Sequence, residues 1–169
     1  MAEQIRKIRR QKKESKMSKV TTEHIKKLRD ATGISVGEVK SALEEAGGDM
    51  EKAIAILKKR GAAFAKKKAG RELGSGYIYA YLHGDGKIGA MVEMRCETDF
   101  VAKNEVFKNL AKEVAMQVAA TAPENTEALL KEPFIRNPEV NIQALIEEAT
   151  QKTGERIGIG RFTRFELEK

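Results

Sequence analysis

The sequence predicts an α+β protein: a bundle of three short helices, then a small module in which helices pack on a three-stranded antiparallel sheet. Three observations carry this. Apolar residues recur at helical spacing over residues 20–60, interrupted by glycines. From Tyr77 to Cys96 the period changes to two, around the turn Gly84-Asp85-Gly86. A long helical pattern follows, and a second period-two segment, Arg156–Leu167, closes the chain.

Thr21 or Thr22 can cap the first helix, whose apolar positions include Ile25 and Leu28, and Gly33 fits its stop. Ser35 and Glu38 have capping-box spacing, in which each side chain satisfies an orphan amide of the next helix. That helix carries Val36, Val39, Ala42, Leu43 and Ala46 and stops at Gly47-Gly48. Asp49 caps a third helix through Ile54 and Leu57, with Gly61 as its expected end. Residues 61–76 then read as a linker, with helical composition from Ala62 to Lys68 and breaks at Gly70, Gly74 and Gly76.

In the hairpin, Ile78, Ala80 and Leu82 alternate with Tyr77, Tyr79, Tyr81 and His83. Ile88, Ala90, Val92, Met94 and Cys96 share one face of the return strand. A helix over Glu105–Ala120 has a stripe of Phe107, Leu110, Ala111, Val114 and Val118. Pro123, Pro133 and Pro138 punctuate the next stretch, with one helical turn around Leu129. A further helix holds Ile142, Leu145, Ile146 and Ala149 and stops near Gly154. In the last strand the alternation slips between Ile159 and Phe162, which predicts a bulge near Gly160. The expected organisation is therefore an arm over 1–19, a three-helix domain over 20–60, a linker over 61–76 and an α+β core domain over 77–169.

Charge separates the arm from the body. Residues 1–19 hold eight Lys or Arg against two Glu, a net of +6 in a chain whose total is +7. The body is nearly neutral, so the basic balance describes an arm expected to be solvated and disordered. Met17-Ser18-Lys19-Val20 reads as an ordinary start, which leaves residues 1–16 as either a native or an added segment. No apolar run approaches the roughly 18 residues of a membrane span, and the Met1 end is basic rather than apolar, unlike a secretory signal. A single cysteine, Cys96, excludes an internal disulfide framework and points to a reducing compartment.

Catalytic machinery is not evident. His24 and His83 are the only histidines, and neither has a second His or Cys at metal-ligand spacing. Gly84-Asp85-Gly86-Lys87 lacks the spacing of a phosphate loop, and neither Gly74-Ser75-Gly76 nor Gly158-Ile159-Gly160 completes a dinucleotide fingerprint. Cys96 reads as a core-facing strand residue. No cofactor, metal or covalent chemistry is expected.

The informative stretch is Arg95-Cys96-Glu97-Thr98-Asp99-Phe100-Val101-Ala102-Lys103-Asn104, where a strand gives way to a helix. Such a junction presents an acid and an aromatic at the end of a rigid element, a common place for binding residues. The plainer alternative is that Thr98 caps a helix and Phe100 folds into the local core. These ten residues closely resemble the signature of the elongation factor Ts family. The segments Lys27–Gly33 and Lys40–Asp49 resemble the ubiquitin-associated-type three-helix domain that opens members of that family. The closing segment, Gly154-Glu155-Arg156-Ile157 to Arg161-Phe162, resembles its core module. There are departures. Ile34-Ser35-Val36-Gly37 stands where members often carry small and methionine residues, and longer members have two related core halves where this chain has room for one.

The resemblance implies a guanine-nucleotide exchange factor for elongation factor Tu in the cytoplasm. An Asp99-Phe100 tip would enter between two helices of the partner's nucleotide-binding domain and loosen GDP and its magnesium site. Thr98, Asp99, Phe100, Val101, Lys103 and Asn104 are the expected exchange residues, with Ile34, Val36 and His83 as further partner contacts. A homodimer is expected, because one module leaves an apolar sheet face that a second copy can cover. The alternative is a monomer whose segment around Phe134 folds back over the sheet. Two rival readings are a nucleic-acid-binding module using the basic arm, and a ubiquitin-type adaptor. Against the first, Tyr77, Tyr79 and Tyr81 lack the interleaved basic frame of an RNA-binding sheet, so specific nucleic-acid binding is not expected.

Overall fold

The computed structural model describes residues 20–167, and the basic arm lies outside them. The chain divides into two compact units, one ending at Arg60 and the other beginning at Gly61.

The first unit contains helices Thr22–Thr32 (α1) and Val36–Glu45 (α2) and the beginning of Met50–Lys68 (α3). Each start is capped by a side chain. Thr21 accepts from the His24 amide at 3.2 Å, Ser35 from the Glu38 amide at 3.3 Å, and Asp49 from the Lys52 amide at 3.0 Å. Leu28, Ile34, Val39, Ala42, Leu43, Ala53 and Leu57 form its core. That core has few large side chains, and a unit of this length is near the lower size limit for independent stability.

α3 does not stop at Gly61. It runs on to Lys68, so the helical stretch inside the expected linker is its continuation. The glycine lies inside the helix rather than at its end, and a Cβ there would meet Gln151 Oε1 at 2.7 Å.

The second unit is built on strands Ser75–His83 (β1), Ile88–Cys96 (β2) and, at the end of the chain, Ile157–Glu166 (β5), antiparallel in the order β1-β2-β5. Between β2 and β5 lie helices Asp99–Ala102 (α4), Glu105–Thr121 (α5), Thr126–Lys131 (α6) and Ile142–Thr153 (α7). The stripe expected on α5 is buried in full and packs on the inner sheet face. Ala90, Val92, Met94 and Cys96 meet it from β2.

A short ribbon, Pro133–Phe134 (β3) with Asn137–Asn141 (β4), occupies the proline-punctuated stretch. The fully buried Gln117 of α5 holds it. Its amide oxygen accepts from Ile135 N at 2.9 Å, and its Nε2 donates to Pro133 O at 3.2 Å and Glu132 Oε2 at 3.0 Å. Phe134 is buried in the same core as α5. The expected bulge in β5 is present. Val92 pairs with Phe162 but Met94 with Ile159, which leaves Gly160 and Arg161 together opposite Glu93. A Cβ on Gly160 would lie 2.9 Å from the Glu93 carboxyl carbon, so the glycine leaves room for the Glu93 side chain in its present position.

The register settles which face of the hairpin is inside. Tyr77, Tyr79 and Tyr81 stand opposite Met94, Val92 and Ala90, so the tyrosines face inward, and Tyr79 and Tyr81 pack against the core. Ile78 and Leu82 therefore point outward and are exposed, together with Met91 and Phe165.

Candidate functional site

At the end of β2 the chain turns through Glu97 and Thr98 into the single turn of α4. A four-residue helix has almost no stability of its own, because nucleation is costly. Its orientation must be set from outside. Thr98 is in extended backbone at the N-cap, but its side chain does not cap the helix. Its hydroxyl instead donates to Glu155 Oε1 at 2.7 Å, and its amide donates to Glu155 Oε2 at 3.0 Å. Asp99 Oδ1 accepts from Ser75 Oγ at 2.5 Å, which ties the tip to the start of β1. Val101 and Ala102 are buried and hold the far side of the turn in the core.

Phe100 stands on this base. It is 79% exposed, the most exposed large apolar side chain among the described residues. The plainer expectation, that it folds into the local core, is not met. Asp99 and Phe100 thus project side by side from a base fixed at several points. Lys103 is exposed beyond them, and Asn104 caps α5 by accepting from Val106 N at 2.8 Å.

Beneath the tip, Glu97 gathers positive groups. It accepts from Arg156 N at 2.6 Å and Arg71 Nη1 at 2.8 Å, with Lys68 Nζ at 3.9 Å. Burial works to raise its carboxyl pKa, but the Arg156 amide, Arg71 and Lys68 outweigh it and hold the group below the ordinary range. Cys96 is buried in β2. Burial first, then the nearby Glu155 charge, push its thiol up, which suits an inert core residue.

A model of the family described as "Elongation factor TS" matches residues 97–169. Elongation factor Ts of Carboxydothermus hydrogenoformans is 40% identical over 193 aligned residues, covering 88% of this chain and 89% of the relative. The chain belongs to the elongation factor Ts family. Relatives from Heliobacterium modesticaldum (40% identity, 88% of this chain and 90% of the relative) and Desulforamulus reducens (37%, 89% and 90%) carry the same name. These alignments, at 193 and 196 positions, are longer than the 169-residue chain. Elongation factor Ts relatives therefore carry residues inside the matched region that this chain lacks.

Not every expected contact has surface to offer. Val101 and Ile34 are buried in their respective cores, and Asn104 Oδ1 is engaged at the start of α5. Val36 is half exposed on α2, and His83 is exposed at the hairpin end, where its Nδ1 lies 3.0 Å from the Tyr81 hydroxyl. Ser75, Glu97 and Glu155 join the site although the sequence pattern alone does not mark them as binding residues. The register shows why they matter: Cys96 pairs with Ile157, which brings Glu97 beside Arg156 and Thr98 beside Glu155. Two acids flanking the ends of neighbouring strands were the available signal. No helix among the described residues is long and apolar enough to cross a membrane.

Proposed function

We propose that this chain is a guanine-nucleotide exchange factor for elongation factor Tu, and that Asp99-Phe100 is the group that dislodges GDP. One observation carries the reading: an aromatic side chain held almost entirely in solvent on a tip whose backbone and neighbours are tied down. Exposing Phe100 has a cost in the free protein that a partner pocket recovers, and burying a Phe stabilises by roughly 1.5–3 kcal/mol. A thousandfold acceleration of release requires about 4 kcal/mol off the barrier. The tip therefore needs help from anchoring contacts. Val36, on the exposed face of the ubiquitin-associated-like first unit, is the residue proposed to supply one, with Ile34 supporting it from the core. Asp99 and Lys103 position the tip; Thr98, Val101 and Asn104 support it from below.

The chain performs no covalent step in this scheme. Whatever factor by which it weakens nucleotide binding, rebinding nucleotide weakens its own grip equally, so GTP resets the cycle by mass action. The homodimer belongs to the same proposal. The segment around Phe134 joins the core on the α5 side, and among the described residues Ile78, Leu82, Met91 and Phe165 are exposed on the outer sheet face. Ala80 pairs with Met91, and Leu82 and Phe165 both pair with Gly89, so the exposed apolar residues form one continuous strip across three strands. A second copy fits such a strip by a twofold, self-complementary contact. Stopped-flow release of a fluorescent GDP analogue from elongation factor Tu tests the reading. Full-length chain should accelerate release, and no acceleration at micromolar concentration would defeat it.

A further inference from the structure

We infer that Glu155 and Glu97 are positioning residues for exchange: they cross-link the two segments at the tip's base and so set where Phe100 points. This rests on the exchange reading above. The bonds are reciprocal. Glu97 of the first segment accepts the backbone N–H of Arg156, and Glu155 of the second accepts the backbone N–H of Thr98. Each carboxylate thus satisfies the backbone of the strand end that carries the other. Bonds from backbone amides to ionised carboxylates are shorter and stronger than neutral ones, and they are directional.

The base to which the tip is tied is itself fixed. Gly154 ends α7 in the left-handed region, with its amide bonded to Thr150 O at 2.9 Å, so Glu155 leaves a defined helix end. Arg156 also donates to the carbonyl of Arg71, and Arg95 Nη2 donates to Leu73 O at 2.8 Å. The chain leading into β1 is thereby drawn to the same point, and Ser75 at its end reaches Asp99. Three segments remote in sequence converge on one turn of helix that cannot orient itself.

A residue that only stabilised the fold would change the unfolding midpoint and leave the native tip as it was. A positioning residue loosens the tip in a molecule that stays folded. The test uses the full chain with Glu155→Ala, Glu155→Gln and Thr98→Val. Backbone 15N relaxation of the free protein reads the tip directly, and stimulated GDP release reads its use. In Glu155→Ala, order parameters at residues 98–101 should fall below the roughly 0.85 of rigid backbone while α5 and the sheet keep theirs. Maximal stimulated release should fall about tenfold, as expected of a displaced group, with binding to elongation factor Tu changed less. Glu155→Gln retains one acceptor oxygen and should recover part of both. Combining Thr98→Val with Glu155→Ala should cost less than the sum of the two, because they share a bond.

Should Glu155→Ala fail to fold, the double variant Glu155→Gln with Thr98→Val, which removes both the charge and the hydroxyl bond, is read in its place. A rigid tip in the variants overturns the inference. So does a loosened tip with undiminished exchange, provided that Phe100→Ala is defective in the same assay. If Phe100→Ala exchanges normally, the exchange reading itself fails, and the relaxation data still report whether the carboxylates order the turn.

Discussion

Gly61 of α3 and Gln151 of α7 approach so closely that a Cβ at position 61 would stand 2.7 Å from Gln151 Oε1. The obstructing atom is the far end of a flexible side chain, which can rotate away. Alanine in a helix interior is favoured over glycine by about 1 kcal/mol. Gly61→Ala should therefore be neutral or slightly stabilising in urea denaturation. Adding Gln151→Ala should release the remainder of that gain. A loss above about 1 kcal/mol in Gly61→Ala that Gln151→Ala restores would mean that Gln151 cannot turn away, and a loss that persists in the double variant would mean that the obstruction is not the Gln151 side chain.

The same residue illustrates what was legible in the sequence. Local patterns were: the caps at Thr21, Ser35 and Asp49, the period-two run from Ile88 to Cys96, the stripe of α5 and the bulge at Gly160 all follow from neighbours in the chain. Long-range contacts were not. Gly61 resembles a helix stop until α7 is brought against it. The β3–β4 ribbon depends on Gln117, a polar residue on an otherwise apolar stripe. At the site, Asp99 and Phe100 could be singled out, but the tie at their base comes from Glu155, which lies 57 residues beyond Thr98. The inward tyrosines of β1 have the same cause, since alternation identifies two faces and only register assigns one to the core.

Glu97 makes stability depend on acid. Its folded pKa is lowered, so protons bind the unfolded chain more readily. Its contribution is complete above the ordinary glutamate value of 4.5 and is lost as the pH falls through the lower, folded value. Glu97→Gln should be less stable than the parent near pH 7, and the difference should shrink toward about pH 3. Parallel urea curves at the two pH values check this. A constant gap between the variants would show that the carboxylate charge is not what holds Lys68, Arg71 and the Arg156 amide.

The outer sheet face should govern assembly. Light scattering at micromolar concentration should give twice the 18.8 kDa chain mass. A specific twofold contact needs about 1,200–2,000 Å² of total buried surface, and Leu82 and Phe165 lie on opposite flanks of the strip that would supply it. Leu82→Asp and Phe165→Asp should each return the monomer mass without loss of secondary structure, since both side chains are exposed in the single chain. Parent protein running as a clean monomer would contradict the dimer and leave the exchange reading standing.

If Phe100 does the work of exchange, Phe100→Ala must slow it. The side chain is 79% exposed, so its removal leaves the core and the circular dichroism spectrum unchanged. Stopped-flow release of a fluorescent GDP analogue from elongation factor Tu, at matched concentrations of the two proteins, should slow by about tenfold or more, the loss typical of an aromatic interface anchor. A folded Phe100→Ala protein that releases GDP at the parent rate would show that Phe100 does not drive exchange.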